Sequence, residues 1–286
     1  MHQLQARQRL CLTRDVYLEY YGLSEDPFSI TPNPRFLFYG SKHREALNHM
    51  LYGIRARKGF VQITGEVGAG KSTLCRALLS QLGNNYSTAL ILNPMLDPDQ
   101  LMRAIATEFG LDARGLDRLE ILEEINLFLL HQVEQGRESV LVIDEAQDLT
   151  NELLEQVRLL SNLETDDRKL LQIVIMGQPE LRDRLNDPAL RQLRQRITVR
   201  YHLNPLKRAE IGDYVHHRLS VSGSKGRPRF TGPALWRVYC YSQGIPRLVN
   251  AVCDKSLLAG FVQQRGRIDF TLVGRAIREL EGNIDI

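Results

Sequence analysis

The sequence predicts an α/β fold: a five-stranded parallel sheet flanked by helices, followed by a small all-helical domain. Three observations predict it. Short apolar runs ("GFVQIT", "STALIL", "SVLVID", "LLQIVIMG", "RITVRYHL") alternate with stretches of helical periodicity as far as Leu203. Strands buried on both faces and joined by helices form parallel sheets. After Asn204 the apolar runs cease and only helical spacing continues, while 286 residues with 43% hydrophobic content suffice for a core domain and a smaller companion.

The amino terminus, "MHQLQARQRLCLTRD", lacks an apolar segment of the secretory kind, so residues 1–18 read as an N-terminal arm. "EDPFSITPNPRFLFYG" (Glu25 to Gly40) holds three prolines, which forbid a long helix or central strand, and four aromatics that give it something to pack. A helix follows from Ser41, placed as N-cap, with Ala46, Leu47, Met50, Leu51 and Ile54 at helical spacing. The strands then run Gly59 to Thr64, Ser87 to Leu92, Ser139 to Asp144, Leu170 to Gly177 and Arg196 to Leu203. Between them lie helices over Ser72 to Leu82, Asp97 to Leu111, Leu116 to Gly136 and Asn151 to Glu164. The helical domain reads as Lys207 to Val221, Gly232 to Ser242, Pro246 to Val262 and Thr271 to Glu281, with Ser222 to Arg229 an exposed loop. The expected boundaries are therefore an arm over 1–18, a sheet domain over 19–204 and a helical domain over 205–286.

A formal charge of +3 and a pI near 8.7 do not describe a strongly cationic nucleic-acid coat. Cys11, Cys75, Cys240 and Cys253 have no metal-ligand spacing and read as free thiols of a reducing compartment. No run approaches the roughly 18 apolar residues of a membrane span. The expectation is a cytoplasmic protein, peripheral at the inner membrane only through partners.

The chemistry begins at "GEVGAGKST". Gly65-x-x-x-x-Gly70-Lys71-Ser72 is a complete phosphate-loop pattern, and it follows a strand and precedes a helix. Gly65, Glu66, Val67, Gly68, Ala69 and Gly70 form the cradle, whose glycines let backbone N–H groups turn onto a β-phosphate at the positive end of a helix. Lys71 supplies a mobile charge to the β- and γ-phosphates, Ser72 a hydroxyl for Mg²⁺, and Thr73 sits just behind. "VLVIDE" ends a buried strand in two acids. Asp144 would hold Mg²⁺, mostly through water, and Glu145 would orient or deprotonate the attacking water. Adjacent acids in that position also suit a helix N-cap pair.

Three further groups extend the site. Gln178 ends the strand "IVIMGQ", where a reader of the γ-phosphate or water would sit; the alternative is a turn residue before Pro179. Arg191, Arg194 and Arg196 precede the fifth strand, either as a solvated basic face or as the source of an arginine finger reaching a neighbouring subunit, with Arg196 ahead of Arg194. Arg247, in the first turn of the helix that "GIP" starts, opposes the helix dipole and so calls for an external anion, the γ-phosphate, or a structural ion pair.

Together these segments resemble the AAA+ ATPases, and more narrowly the ExeA-like family. The resemblance rests on "YYGLSEDPFSITPNPRFLFYGSKHREAL", "GFVQITGEVGAGKSTLCRALL", "VLVIDEAQDLT", "LLQIVIMGQPEL", "LRQLRQRITVRYHLNPL" and "GIPRLVN", and it covers Tyr20 to Glu281. It implies Lys71 and Ser72 as Walker A, Asp144 and Glu145 as Walker B, Gln178 as sensor 1 and Arg247 as sensor 2. It also implies that residues around Phe38 to His43, Tyr39 and His43 among them, line an adenine pocket, and that the helical domain is a lid. Two positions depart from common AAA+ usage: Gln178 stands where Asn or Thr is frequent, and Lys207 where Ser or Thr caps the first lid helix. Longer family members continue into a membrane span and a peptidoglycan-binding domain; neither is present in these 286 residues, so wall binding is not carried over.

The function implied is an ATP- and Mg²⁺-dependent ATPase. It would oligomerise with itself, as a ring or filament, to assemble or regulate an envelope machine for secretion, pili or polysaccharide export. The competing reading is a DNA-binding transposition regulator of the TniB/TnsC type, favoured by the arginines at 182, 184, 191, 194, 196 and 200 and by the loop "KGRPR". A small-molecule kinase fits less well, because the lid arginine suits assembly better than substrate enclosure.

Overall fold

The computed structural model describes residues 17–31, 33–92 and 94–282, and these residues divide into two units. One comprises Ser41–Val67 and Lys71–Asn204. The other brings together the described residues up to Gly40, Gly68–Gly70 and the chain from Pro205.

The first unit is built on β1 (Phe60–Gly65), β2 (Tyr86–Ile91), β3 (Glu138–Ile143), β4 (Leu171–Gly177) and β5 (Ile197–Leu203). They form one sheet in the order β2-β3-β4-β1-β5, parallel throughout. Every residue of β1 and β4 is buried, as expected of central strands covered on both faces. Its helices are α1 (Ser41–Arg55), α2 (Lys71–Leu82), α3 (Pro98–Glu108), α4 (Arg118–Glu134), α5 (Asn151–Leu160), α6 (Pro179–Arg184) and α7 (Arg191–Arg196). One core gathers Phe60, Ile91, Leu141, Ile143, Ile173 and Ile175 from the sheet with α3, α4 and α5. On the other face α1 packs across β1 and β5. The capping chemistry explains where helices begin. Asp97 and Asp117 each accept backbone N–H groups at the start of α3 and α4, and Gln100 and Glu120 reach back in capping boxes.

Several boundaries differ from expectation. Ser41, expected as the N-cap, is the first residue of α1. The helix expected to reach Glu164 stops at Leu160, and Glu164 instead pairs with Lys169 across an antiparallel bridge. The expected strand start at Arg196 is the last residue of α7.

The second unit holds α8 (Ile211–Val221), α9 (Gly232–Ser242), α10 (Pro246–Val262) and α11 (Phe270–Leu280). It is not wholly helical. β6 (Arg229–Phe230) and β7 (Arg267–Ile268) form a short parallel pair, so Arg229 leaves the expected loop. Lys207 does not begin the first helix, either; a 3-10 turn over Arg208–Glu210 intervenes before α8, with Glu210 Oε2 accepting the Lys207 N–H at 2.9 Å.

The N-terminal segment belongs to this second unit rather than to the sheet. Residues 17–21 are helical, and Tyr17, Tyr21, Leu23 and Phe28 lie in one core with Tyr214, Val249 and Leu257. Tyr17 Oη donates to Asp254 Oδ1 at 2.8 Å, and Tyr21 Oη to the carbonyls of Leu257 and Arg265, each at 3.1 Å. Arg218, 7% exposed, donates to the carbonyls of Pro27 and Ser29 and lies over the Phe36 ring. Of the expected arm, then, residues 17 and 18 are part of the fold, and 1–16, Cys11 included, lie outside the described residues. Cys75, Cys240 and Cys253 are free thiols.

Candidate nucleotide site

The strand order brings the chemistry together. β4 lies between β1 and β3, so the loops after β1, β4 and β3 leave the same carboxyl edge of the sheet side by side. In a parallel sheet this edge is where ligands bind.

After β1 comes the phosphate loop. Lys71 opens α2 and is 5% exposed; its Nζ donates to Gly65 O at 2.9 Å and Glu66 O at 3.2 Å. Burial pulls its pKa below the ordinary lysine value, against the charges of Glu145, Asp144 and Glu66. Thus the ammonium is held by two carbonyls of its own loop, partners that an incoming phosphate can outbid by carrying full charge. Thr73 follows in the same helix, half-buried, and Cys75 behind it is fully buried, its thiol pushed up to about 12 chiefly by burial.

Gly68–Gly70 group with the second unit. Gly68 and Gly70 have φ of +78° and +98°, a region open to glycine and strained for other residues. Gly68 O accepts the N–H of Arg247 at 3.2 Å, which satisfies one of the unpaired donors at the start of α10. A Cβ on Gly68 would meet Arg247 Cβ at 2.5 Å. Ala69 is buried, and Glu66 and Val67 are exposed.

After β3 come the acids. Asp144 is 2% exposed, and burial raises its pKa above the usual carboxylate value. Ser72 Oγ donates to Asp144 Oδ2 at 2.6 Å, and the Glu145 N–H donates to Oδ1 at 3.0 Å; both oppose that rise. A hydroxyl and a carboxylate oxygen so placed are hard oxygen donors, and a buried carboxylate gains from a nearby cation. This donor set fits Mg²⁺. Glu145 has a left-handed backbone (φ 50°, ψ 37°), and its Oε2 accepts from Gln147 Nε2 at 2.9 Å and Gln178 Nε2 at 3.4 Å. Gln178, after β4, therefore lies within reach of Glu145, as well as standing before Pro179 at the start of α6.

The remaining expected site residues lie on other elements. Arg247 is exposed on α10, Tyr39 is 41% exposed in the second unit, and His43 is buried in α1 of the first. Arg196 donates to Ser161 Oγ at 2.8 Å. Arg194 makes a long contact with Asn186 at 3.5 Å, and its carbonyl accepts from Arg200. Arg184 donates to Gln147 O and Asn151 Oδ1. Of the arginines named for the DNA-regulator reading, Arg184, Arg194, Arg196 and Arg200 hydrogen-bond within the chain, and Arg182 and Arg200 are exposed. Arg191, Arg227 and Arg229 are exposed.

Two residues of this edge have no site role in the sequence reading. Gln147 stands only as a letter of "VLVIDEAQDLT", and Arg184 only among the arginines of the DNA-regulator reading. Only the closeness of the β3 and β4 ends gives them partners.

Comparison with known proteins agrees with this fold. A family model described as an AAA domain matches residues 54–185. General secretion pathway protein A of Aeromonas hydrophila is 47% identical over 268 residues, which is 93% of this chain and 49% of that protein. The chain thus spans about half the length of this relative. Among solved structures, the ORC2 protein of Aeropyrum pernix superposes with a TM-score of 0.68 at 17% identity, over 90% of this chain and 72% of that one. The corresponding values for CDC6P of Pyrobaculum aerophilum are 0.66, 19%, 90% and 71%, and for a Walker-type ATPase of Pyrococcus abyssi 0.63, 16%, 90% and 76%. At these identities the structures speak for the fold alone, a P-loop α/β core with a helical companion. Motifs, fold and sequence relative converge: the chain belongs to the AAA+ ATPases, within the ExeA-like family of general secretion pathway protein A.

Proposed function

We propose that this chain binds ATP with Mg²⁺, hydrolyses it, and uses the change of nucleotide state to assemble with copies of itself in the service of a cell-envelope secretion, pilus or export machine. The observation that carries the proposal is the single sheet edge on which Lys71, the Ser72–Asp144 pair, Glu145 and Gln178 meet. Lys71 exchanges its loop carbonyls for the β- and γ-phosphates. Ser72 and Asp144 hold Mg²⁺, whose charge when bound draws electron density from the phosphoryl oxygens. Glu145 accepts the proton of the attacking water as that water approaches the γ-phosphorus, and Gln178 steadies the water or the γ-phosphate. Arg247 is the reader assigned to the γ-phosphate, and its N–H donates to Gly68 O within its own unit. A neighbour's arginine completes the charge balance. Arg194 is less committed within its own chain than Arg196.

The envelope role draws on the relative, whose name ties it to the general secretion pathway. The test is Glu145→Gln. It is expected to bind ATP as tightly as the wild type, to lose turnover by about a hundredfold or more, and to accumulate as an assembled species in size-exclusion chromatography with ATP. Wild-type turnover would remove Glu145 from its role, and a monomer under all nucleotide conditions would remove the assembly role.

A further inference from the structure

Gln147 is half-buried in the 3-10 turn Ala146–Asp148, two residues past Glu145. Both ends of its side-chain amide are in use. Nε2 donates to Glu145 Oε2 at 2.9 Å, and Oε1 accepts the backbone N–H of Gln178 at 3.0 Å. Its main-chain carbonyl is held as well, by Arg184 Nη1, while Nη2 of the same guanidinium donates to Asn151 Oδ1 at 2.9 Å. Room for the amide is provided by a glycine. A Cβ on Gly177 would stand 2.9 Å from Gln147 Oε1 and 2.8 Å from Leu181 Cδ2.

These contacts have one direction. Glu145 sits in a left-handed backbone conformation that residues other than glycine adopt reluctantly, and its Oε2 accepts from two amide side chains. Gln178 reaches the same oxygen only at 3.4 Å, which makes Gln147 the shorter tether. We propose that Gln147 is the positioning residue for Glu145: it fixes the carboxylate against the end of β4 and so sets the distance between the base and Gln178. Only an amide of this length does so. Glu at 147 can still accept from Gln178 but places a like charge on Glu145, Leu has neither donor nor acceptor, and Asn is one methylene short of bridging.

The inference rests on Glu145 acting as the base, and the experiment separates the two. Steady-state kcat and KM for ATP are measured for the full chain carrying Gln147→Glu, Gln147→Leu, Glu145→Gln and the double variant Glu145→Gln/Gln147→Leu, with nucleotide affinity and thermal midpoints alongside. Gln147→Glu and Gln147→Leu are expected to lower kcat about tenfold to a hundredfold, the scale of a displaced catalytic group, with KM, ATP affinity and the melting midpoint little changed. Because Gln147 acts through Glu145, the double variant should be no slower than Glu145→Gln alone in single-turnover hydrolysis. Gly177→Ala removes no polar group yet displaces the amide, and should reproduce the kcat loss. An unchanged kcat in Gln147→Leu, or a further multiplicative loss in the double variant, overturns the proposal while leaving the base intact. Wild-type turnover in Glu145→Gln instead overturns the base.

Discussion

Asp144 is a carboxylate kept almost wholly from water beside a phosphate loop, and burial lifts its pKa. A raised folded-state value in an acid means that the ionised form is disfavoured by the fold. Stability is therefore lost as pH rises through that value, and at neutral pH the nucleotide-free protein bears the loss. Asp144→Asn should accordingly raise the melting midpoint of the nucleotide-free protein by roughly 2–4 °C, the equivalent of about 1 kcal/mol in a domain of this size. It should also abolish Mg²⁺-dependent hydrolysis. Calorimetry and an ATPase assay on one sample check both, and a lower midpoint would mean that the Ser72 bond outweighs the desolvation. Sequence spacing singles out Lys71, Ser72, Asp144 and Glu145, which the structure places at one sheet edge, because a phosphate loop and a strand ending in acids fix their order along the chain. Gln147 and Arg184 carry no such spacing: their partners, Gln178 and Asn151, lie about thirty residues or more away or across a turn, and meet only once β3 and β4 pair.

At the level of elements, α1 shows how closely a helix can approach the sheet. Gly53 lies on its buried side, and a Cβ there would collide with Val61 of β1. Helix propensity alone favours Gly53→Ala by about 1 kcal/mol. Overpacking against a buried, β-branched neighbour costs about 1–3 kcal/mol. The collision should prevail, so chemical denaturation of Gly53→Ala is expected to show a net loss; a gain would mean that α1 lifts freely from β1. The long elements were legible because periodicity over ten or more residues, or an unbroken apolar run, is a strong signal. α6 and α7 have six residues each, and β6 and β7 two, too few for a period to show. Their existence depends on tertiary neighbours, such as Phe28 against Phe230 and Gly266 O accepting the Arg229 N–H.

Across the whole chain, the expected cut at residue 19 and the observed grouping differ because aromatic residues near the amino terminus find partners nearly 240 positions later. A fragment over residues 205–282 lacks Tyr17, Tyr21, Phe28 and the carbonyls that receive Arg218. It leaves that guanidinium, 7% exposed in the whole protein, with Tyr214 Oη but without its two carbonyl acceptors. Circular dichroism and amide exchange of that fragment should show a poorly ordered, non-cooperative species. Joining residues 17–40 to it through a flexible linker should restore a cooperative transition, and a cooperative fold without them would make the segment dispensable.

That the second unit draws on segments before and after the sheet unit also sets a timetable for biosynthesis. The first segment leaves the ribosome early, with its tyrosines and Phe28 exposed, and its partners follow only after the whole sheet unit has been made. At about 5–20 residues per second the wait is roughly 10–50 s, long enough for the sheet unit to fold first and for a chaperone to find the waiting aromatics.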